Sequence, residues 1–168
     1  MESHHLIFRT HSSTRYSVAA LLGSIETDHR LAELEVSAPL ELSDKMIQRM
    51  VDRGRVVIAQ SVMSTQIDRV FRESRMVRDR FGDSVILVAG GPHASARPRE
   101  LLDSGFDFVV VGEGEKRFRD LMWCLINDDD PANLDGIATE NDTSFPKPRD
   151  LPKVTLDDYP PFALGMNI

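Results

Sequence analysis

The sequence predicts an α/β domain of doubly wound type, Rossmann-like or flavodoxin-like, in which a parallel sheet of about five strands carries helices on both faces. Three observations lead there. Four short apolar segments, Leu6–Arg9, Arg55–Ala59, Val85–Ala89 and Phe106–Val111, are bounded by turn or loop residues, and three of them lack the in/out alternation of a sheet wetted on one face. Stretches of helical periodicity separate them. Strand and helix alternate about five times over, the order that builds a parallel sheet through right-handed crossovers.

Leu6–Arg9 is the first strand, with His4 and His5 at its amino end. Val18, Leu21, Leu22 and Ile25 then share one helical face. Leu31–Val36 does alternate, with Leu31, Leu34 and Val36 apolar among acids, and belongs near a sheet edge. Met46, Ile47, Met50 and Val51 mark a helix beginning after Ser43, ahead of the third strand, Arg55–Ala59. The clearest helix runs from Ser64 to Phe81: Ile67, Val70, Phe71, Val77 and Phe81 fall near a 3.6-residue period, and Thr65 with Asp68 resembles a capping box. Its arginines, Arg69, Arg72, Arg75, Arg78 and Arg80, read as a solvated face.

After the fourth strand, Pro98 suits the first turn of a short helix that Gly105 ends. Phe106–Val111 is the fifth strand, and Phe118, Leu121, Met122, Leu125 and Ile126 stripe the last helix. Leu134–Thr139 offers a sixth strand. From Asn141 to Pro161 the chain holds Pro146, Pro148, Pro152, Pro160 and Pro161 among scattered charges, a pattern of extended surface chain. Residues 1–140 are therefore read as one domain and 141–168 as a linker.

Composition narrows the class. A length of 168 residues with 41% apolar side chains suits a single core. No apolar run approaches the roughly 18 residues of a bilayer span, and no basic-then-apolar leader is present, so the expectation is a soluble, cytoplasmic chain without a membrane partner. The formal charge of −7 argues against broad contact with nucleic acid. Cys124 is the single cysteine, which excludes an internal disulfide or a cysteine-held metal within these residues.

In open α/β sheets ligands bind outside the carboxyl ends of the strands, so the loops there are the candidates. They are Thr10-His11-Ser12 with Ser13 and Thr14 after the first strand, Ser61-Val62-Met63-Ser64-Thr65 after the third, Gly90-Gly91-Pro92-His93 after the fourth, and Gly112-Glu113-Gly114 with Glu115 after the fifth. All four are small, polar or glycine-rich, as a broad flat or phosphate-bearing ligand requires. A dinucleotide fingerprint is rejected, because it belongs after the first strand and needs a glycine where Arg117 stands. His11 and His93 read as hydrogen-bonding loop residues in preference to metal ligands, and no nucleophile–base pair is evident. Neither catalytic nor metal-binding residues are expected in this chain.

The stretch Val88-Ala89-Gly90-Gly91-Pro92-His93-Ala94-Ser95, followed by Phe106–Val111 and Gly112-Glu113-Gly114-Glu115, closely resembles the signature half of the cobalamin (B12)-binding domains of radical SAM proteins. Those domains read as an apolar strand, Gly-Gly-Pro-His, then Gly-Glu-Gly-Glu about twenty residues on. The Ser61–Thr65 loop is similar to the family's Ser/Thr-rich segment along the cobalamin nucleotide tail, and Leu156–Phe162 resembles the linker into the radical SAM barrel. The resemblance implies a cofactor-holding module whose partner is a radical SAM domain of the same parent chain. That domain would carry a 4Fe-4S cluster on a three-cysteine motif, with S-adenosylmethionine, and would perform methyl transfer or a related reaction. Other cobalamin domains carry Asp-x-His-x-x-Gly after the first strand; here Arg9 and Thr14 replace the aspartate and glycine around His11, which implies cobalamin without histidine on cobalt.

Two alternatives stand beside this reading. The same fold could be a degenerate module that docks through the arginine-rich helix and tolerates bulky residues at Gly90 or Gly91. A phospho-receiver or nucleotide-binding domain is the other, opposed by Gln60-Ser61 and Arg9-Thr10 where a receiver needs acids, and by the lack of a P-loop.

Overall fold

The first strand shows why its apolar stretch, Leu6–Phe8, does not alternate. In β1 (Ser3–Arg9), Leu6 and Phe8 belong to the apolar core on one face of the sheet and Ile7 to the core on the other. Strand side chains alternate between faces, so a stretch covered on both is apolar at consecutive positions. β3 (Gly54–Ser61) divides in the same way, Val57 and Ala59 to one face, Val56 and Ile58 to the other. A computed structural model describes residues 3–153 and residue 155.

The remaining strands are β2 (Leu34–Ser37), β4 (Val85–Gly90), β5 (Phe108–Val110) and β6 (Ile137–Ala138). Among the described residues they form one sheet in the order β2-β1-β3-β4-β5-β6. β1 to β5 are parallel, with Ile7 beside Ile58, Ile58 beside Leu87 and Ala89 beside Val109. β2 is the edge strand its alternation predicts. The order reverses between β1 and β3, the switch point of a flavodoxin-like sheet.

Helices α1 (Arg15–Glu26) and α6 (Gly114–Ile126) cover one face through Val18, Leu22, Phe118 and Leu121. The other face is covered by α2 (Asp44–Val51), α3 (Ile67–Phe81), α4 (Pro92–Ala96) and α5 (Pro98–Asp103).

The structure departs from the sequence reading in three places. β6 forms, but antiparallel to β5: residues 127–136 double back beside α6, so the chain re-enters the sheet from the carboxyl side. The Thr65–Asp68 capping box does not form; a 3-10 turn, Ser64–Gln66, leads into α3 without a side-chain cap. Nor is the arginine row of α3 wholly solvated. Arg78 donates to the carbonyls of Gly82, Val85 and Gly105 and pairs with Asp107 at 2.7 Å, fastening α3 to β4 and the start of β5.

Beyond β6 the chain stays on the domain as far as it is described. Phe145 and Leu151 pack against the α3-side core. The Leu156–Phe162 stretch lies outside the described residues. No helix among those described is long and apolar enough to cross a membrane.

Candidate functional site

Side chains pointing to the α1/α6 face at the carboxyl ends of four strands, Phe8, Ala59, Val88 and Val110, make the floor of a cleft of about 230 Å³. Ser17 and Leu21 of α1 form one side and Phe118 of α6 the other, while the strand-end loops supply the rim. The floor is apolar and the rim polar, the usual division of labour in a small-molecule site. Phe8 and Phe118 meet edge to face at 5.4 Å between ring centres, which stiffens the floor.

Glycines keep the rim low. Gly90 ends β4, and a Cβ there would stand 3.8 Å from the Val110 Cβ, in ordinary contact, projecting over the floor. Gly91 has φ 94° and ψ −175°, a conformation essentially restricted to glycine. Its Cβ would lie 2.9 Å from the Ser61 hydroxyl and 3.0 Å from the Val62 nitrogen. The backbones of the third and fourth loops therefore touch: the Val62 amide donates to Gly90 O at 2.7 Å and the His93 amide to Val62 O at 3.1 Å. Gly114, where a Cβ would stand 2.9 Å from Leu21, lets α6 approach α1.

Of the residues singled out from the sequence, Ser61, Gly90, Gly91, Pro92, Gly112, Glu113 and Gly114 line this cleft. Thr10, His11, Ser12, Val62, Met63, Ser64, Thr65 and His93 do not. Thr10 is buried, its hydroxyl donating to Phe8 O and its amide to Pro39 O. Ser12 is exposed on the same loop. Val62 is wholly buried behind the Gly91 wall. Met63, Ser64 and Thr65 stand exposed beside it, and Ser64 Oγ lies 3.0 Å from His93 Nδ1. His93 is thereby turned from the cleft, with Nε2 3.3 Å from Glu100 Oε2. It ties the third loop to the fourth.

An ion pair lies close to the buried His11. Arg9, 0% exposed, meets Glu73 of α3 through Nη2 at 2.9 Å and Nε at 3.2 Å, and donates to Thr10 O through Nη1. Arg69 joins the same carboxylate at 2.9 Å. Burial raises the Glu73 pKa, but the hydrogen bonds from Arg9 and Arg69 outweigh it and hold the carboxyl below its ordinary value. His11 is buried, with Nε2 lacking a hydrogen-bond partner. Burial lowers its pKa, the nearby Arg9 and Arg69 charges add to the effect, and Glu73 opposes it. Protonation of the ring is thereby disfavoured.

Sequence reasoning missed Phe8, Ser17, Leu21, Gln60, Ala59, Val88, Val110 and Phe118 as lining residues. The floor residues read as plain core, and nothing local distinguishes an apolar side chain under a ligand from one under a helix. Two signals were available: Ser17 interrupts the apolar face of α1, and Gln60 interrupts β3. Gln60 is 3% exposed, and its side-chain oxygen is buried without a partner beside the cleft. It is placed to accept from a ligand amide or hydroxyl.

A flavodoxin-like sheet whose apolar cleft opens at the switch point, walled by glycine turns, defines a cofactor-binding module. Comparison with known proteins specifies which. The family described as the B12 binding domain matches residues 8–122, and the chain belongs to that family. The cobalamin-dependent radical SAM methyltransferase TokK of Streptomyces tokunonensis is 31% identical over 160 residues, covering 89% of this chain and 23% of the relative. Two structures of the radical S-adenosylmethionine methyltransferase TsrM from Kitasatospora setae share the fold. The one with cobalamin and an iron–sulfur cluster bound has a TM-score of 0.59 at 17% identity, over 86% of this chain and 30% of that one. The other, with tryptophan and a SAM analogue, has a TM-score of 0.61 at 18% identity, over 88% and 30%. This chain therefore spans less than a third of the length of each of these relatives. It is a B12-binding domain related to cobalamin-dependent radical SAM methyltransferases, and the degenerate-module alternative is not favoured.

Proposed function

We propose that this chain holds cobalamin over the carboxyl edge of its sheet and serves a radical SAM domain of the same longer protein, in a reaction of methyltransferase or related type. The observation that carries this is the cleft itself: a floor of Phe8, Ala59, Val88 and Val110 under a rim whose height is set by Gly90 and Gly91. The residues fit such a cofactor. An apolar floor suits a flat organic group or a heterocyclic base, and Ser17, Ser61 and the unpartnered Gln60 oxygen offer partners to amide and phosphate groups at its edges.

Cobalamin, when bound, supplies a cobalt centre able to carry a methyl group. The chain's own residues hold and orient it. Gly91 sets the distance between the Ser61 and Pro92 walls, the His93–Ser64 contact keeps those walls together, and burial with the nearby Arg9 and Arg69 charges disfavours a protonated His11. Residues 1–140 are the binding module in this reading, and 141–168 lead toward the radical SAM domain. Tyr16, Leu40 and Met63, exposed at 73%, 66% and 36%, follow β1, β2 and β3 at the same edge, which supports a covering domain there.

The test is reconstitution with hydroxocobalamin. The protein is expected to keep the corrin absorbance band through gel filtration, and a colourless eluate would overturn the proposal. Gly90→Val is the sharper probe: a β-branched residue suits the end of β4, so folding is retained while the added methyls occupy the cleft. Corrin retention is expected to fall at least tenfold with an unchanged circular dichroism spectrum.

A further inference from the structure

The first part of the C-terminal connection, residues 139–152, is tied to the cleft by one side chain. Arg117 of α6 is 7% exposed. Its Nη1 donates to Glu113 O at 2.8 Å and its Nη2 to Pro152 O at 2.7 Å. Glu113 sits between Gly112 and Gly114, all three of which line the cleft. One guanidinium thus bridges the cofactor wall and the departing chain.

The rest of the segment is fastened around that bridge. Leu151 Cδ1 rests against Gly112 and Gly136, 3.4 and 3.1 Å from where a Cβ would stand. Both glycines have positive φ, 81° and 77°, so larger residues are barred where Leu151 seats. At the other end, Arg99 of α5 donates to the carbonyls of Glu140 and Asp142 and stacks over Phe145 at 4.9 Å. The hydrogen bonds from both arginines run to backbone carbonyls, so they fix the path of the chain and are indifferent to its side chains.

We infer that Arg117 is a positioning residue that seats residues 139–152 against the Gly112–Gly114 wall, so that filling the cleft and seating the connection are linked. The seating needs no ligand; the linkage rests on the cofactor reading above. A ligand that stiffens the 112–114 turn fixes the Glu113 carbonyl, and Arg117 passes that order to Pro152. By reciprocity, a seated connection favours the ligand. Pro152 is then held at a set position beside the ligand edge of the sheet.

The experiment is hydrogen–deuterium exchange on the full chain, followed in peptides covering 139–153, with and without hydroxocobalamin. Arg117→Met is expected to speed exchange in 139–153 at least tenfold without ligand, leaving β1 and β3 unchanged, and Arg117→Lys is expected to restore part of the protection. Hydroxocobalamin should slow exchange across 139–153 in the wild type and not in Arg117→Met, whose Kd for the cofactor should rise about fivefold or more.

Unchanged exchange in Arg117→Met would overturn the seating. Cofactor binding by the wild type with no response in 139–153 would overturn the linkage. Failure of the wild type to bind hydroxocobalamin would instead overturn the cofactor reading and the linkage, leaving the seating to the ligand-free comparison. Should Arg117→Met unfold, Leu151→Ala releases the segment from outside α6, and the same gain in exchange is expected; its absence would count against the seating equally.

Discussion

Two adjacent glycines do different work, and substitutions separate them. Gly90 lies in a strand with room for a Cβ, so what a side chain disturbs there is the cleft. Gly91 lies in backbone that other residues rarely adopt and closes against Ser61 and Val62. Gly91→Ala is expected to cost about 1–3 kcal/mol of stability, read as a lowered urea midpoint with an unchanged slope. Motif spacing alone would rank the two equally. Backbone conformation, which spacing does not reveal, leaves one facing the cleft and builds the other into its wall.

At the scale of elements, the Arg9–Glu73 pair joins the end of β1 to α3 across 64 positions of sequence. Its side chains are 1% and 19% exposed, so removing one partner strands a charge away from water. Glu73→Gln is expected to cost about 3–5 kcal/mol in urea denaturation. Arg69 meets the same carboxylate from a side chain 47% exposed. Arg69→Met is therefore expected to cost under about 1 kcal/mol. From the sequence Arg9 was legible as a departure from the family's aspartate, but its partner was not: Glu73 sat among charged residues of an amphipathic helix with nothing to mark it.

Two buried histidines are expected to make the molecule as a whole sensitive to mild acid. His5, on β1 next to the edge strand, is 1% exposed with Nδ1 3.2 Å from Glu35. Burial lowers its pKa below 6.5, against the pull of Glu35 and with Arg53 and His4 adding to the fall. His11 is lowered in the same direction. For both, the unfolded chain binds the proton more readily, so their contribution is whole above about pH 6.5 and is lost as pH falls through the lowered folded values. Asp28, held at about 2 chiefly by its hydrogen bond from Arg30, adds a second loss below its ordinary 3.8. The melting temperature is expected to fall between pH 7.5 and pH 5.5, and again below pH 4. His5→Phe, which removes the titrating ring at that position, should shrink the first step.

The order of strands and helices, and the loops at the ligand edge, followed from the sequence alone, because apolar runs and 3.6-residue stripes are local consequences of burial on two faces. Gly90-Gly91-Pro92 and Gly112-Glu113-Gly114 were legible for the same reason: a close backbone approach demands glycine wherever it occurs. Tertiary structure decided the rest. The cleft floor is assembled from Phe8, Ala59, Val88 and Val110, one side chain from each of four strands, and only the sheet brings them side by side. Which way His93 turns depends on Ser64 and Glu100, partners set by packing between elements and invisible to any window along the chain.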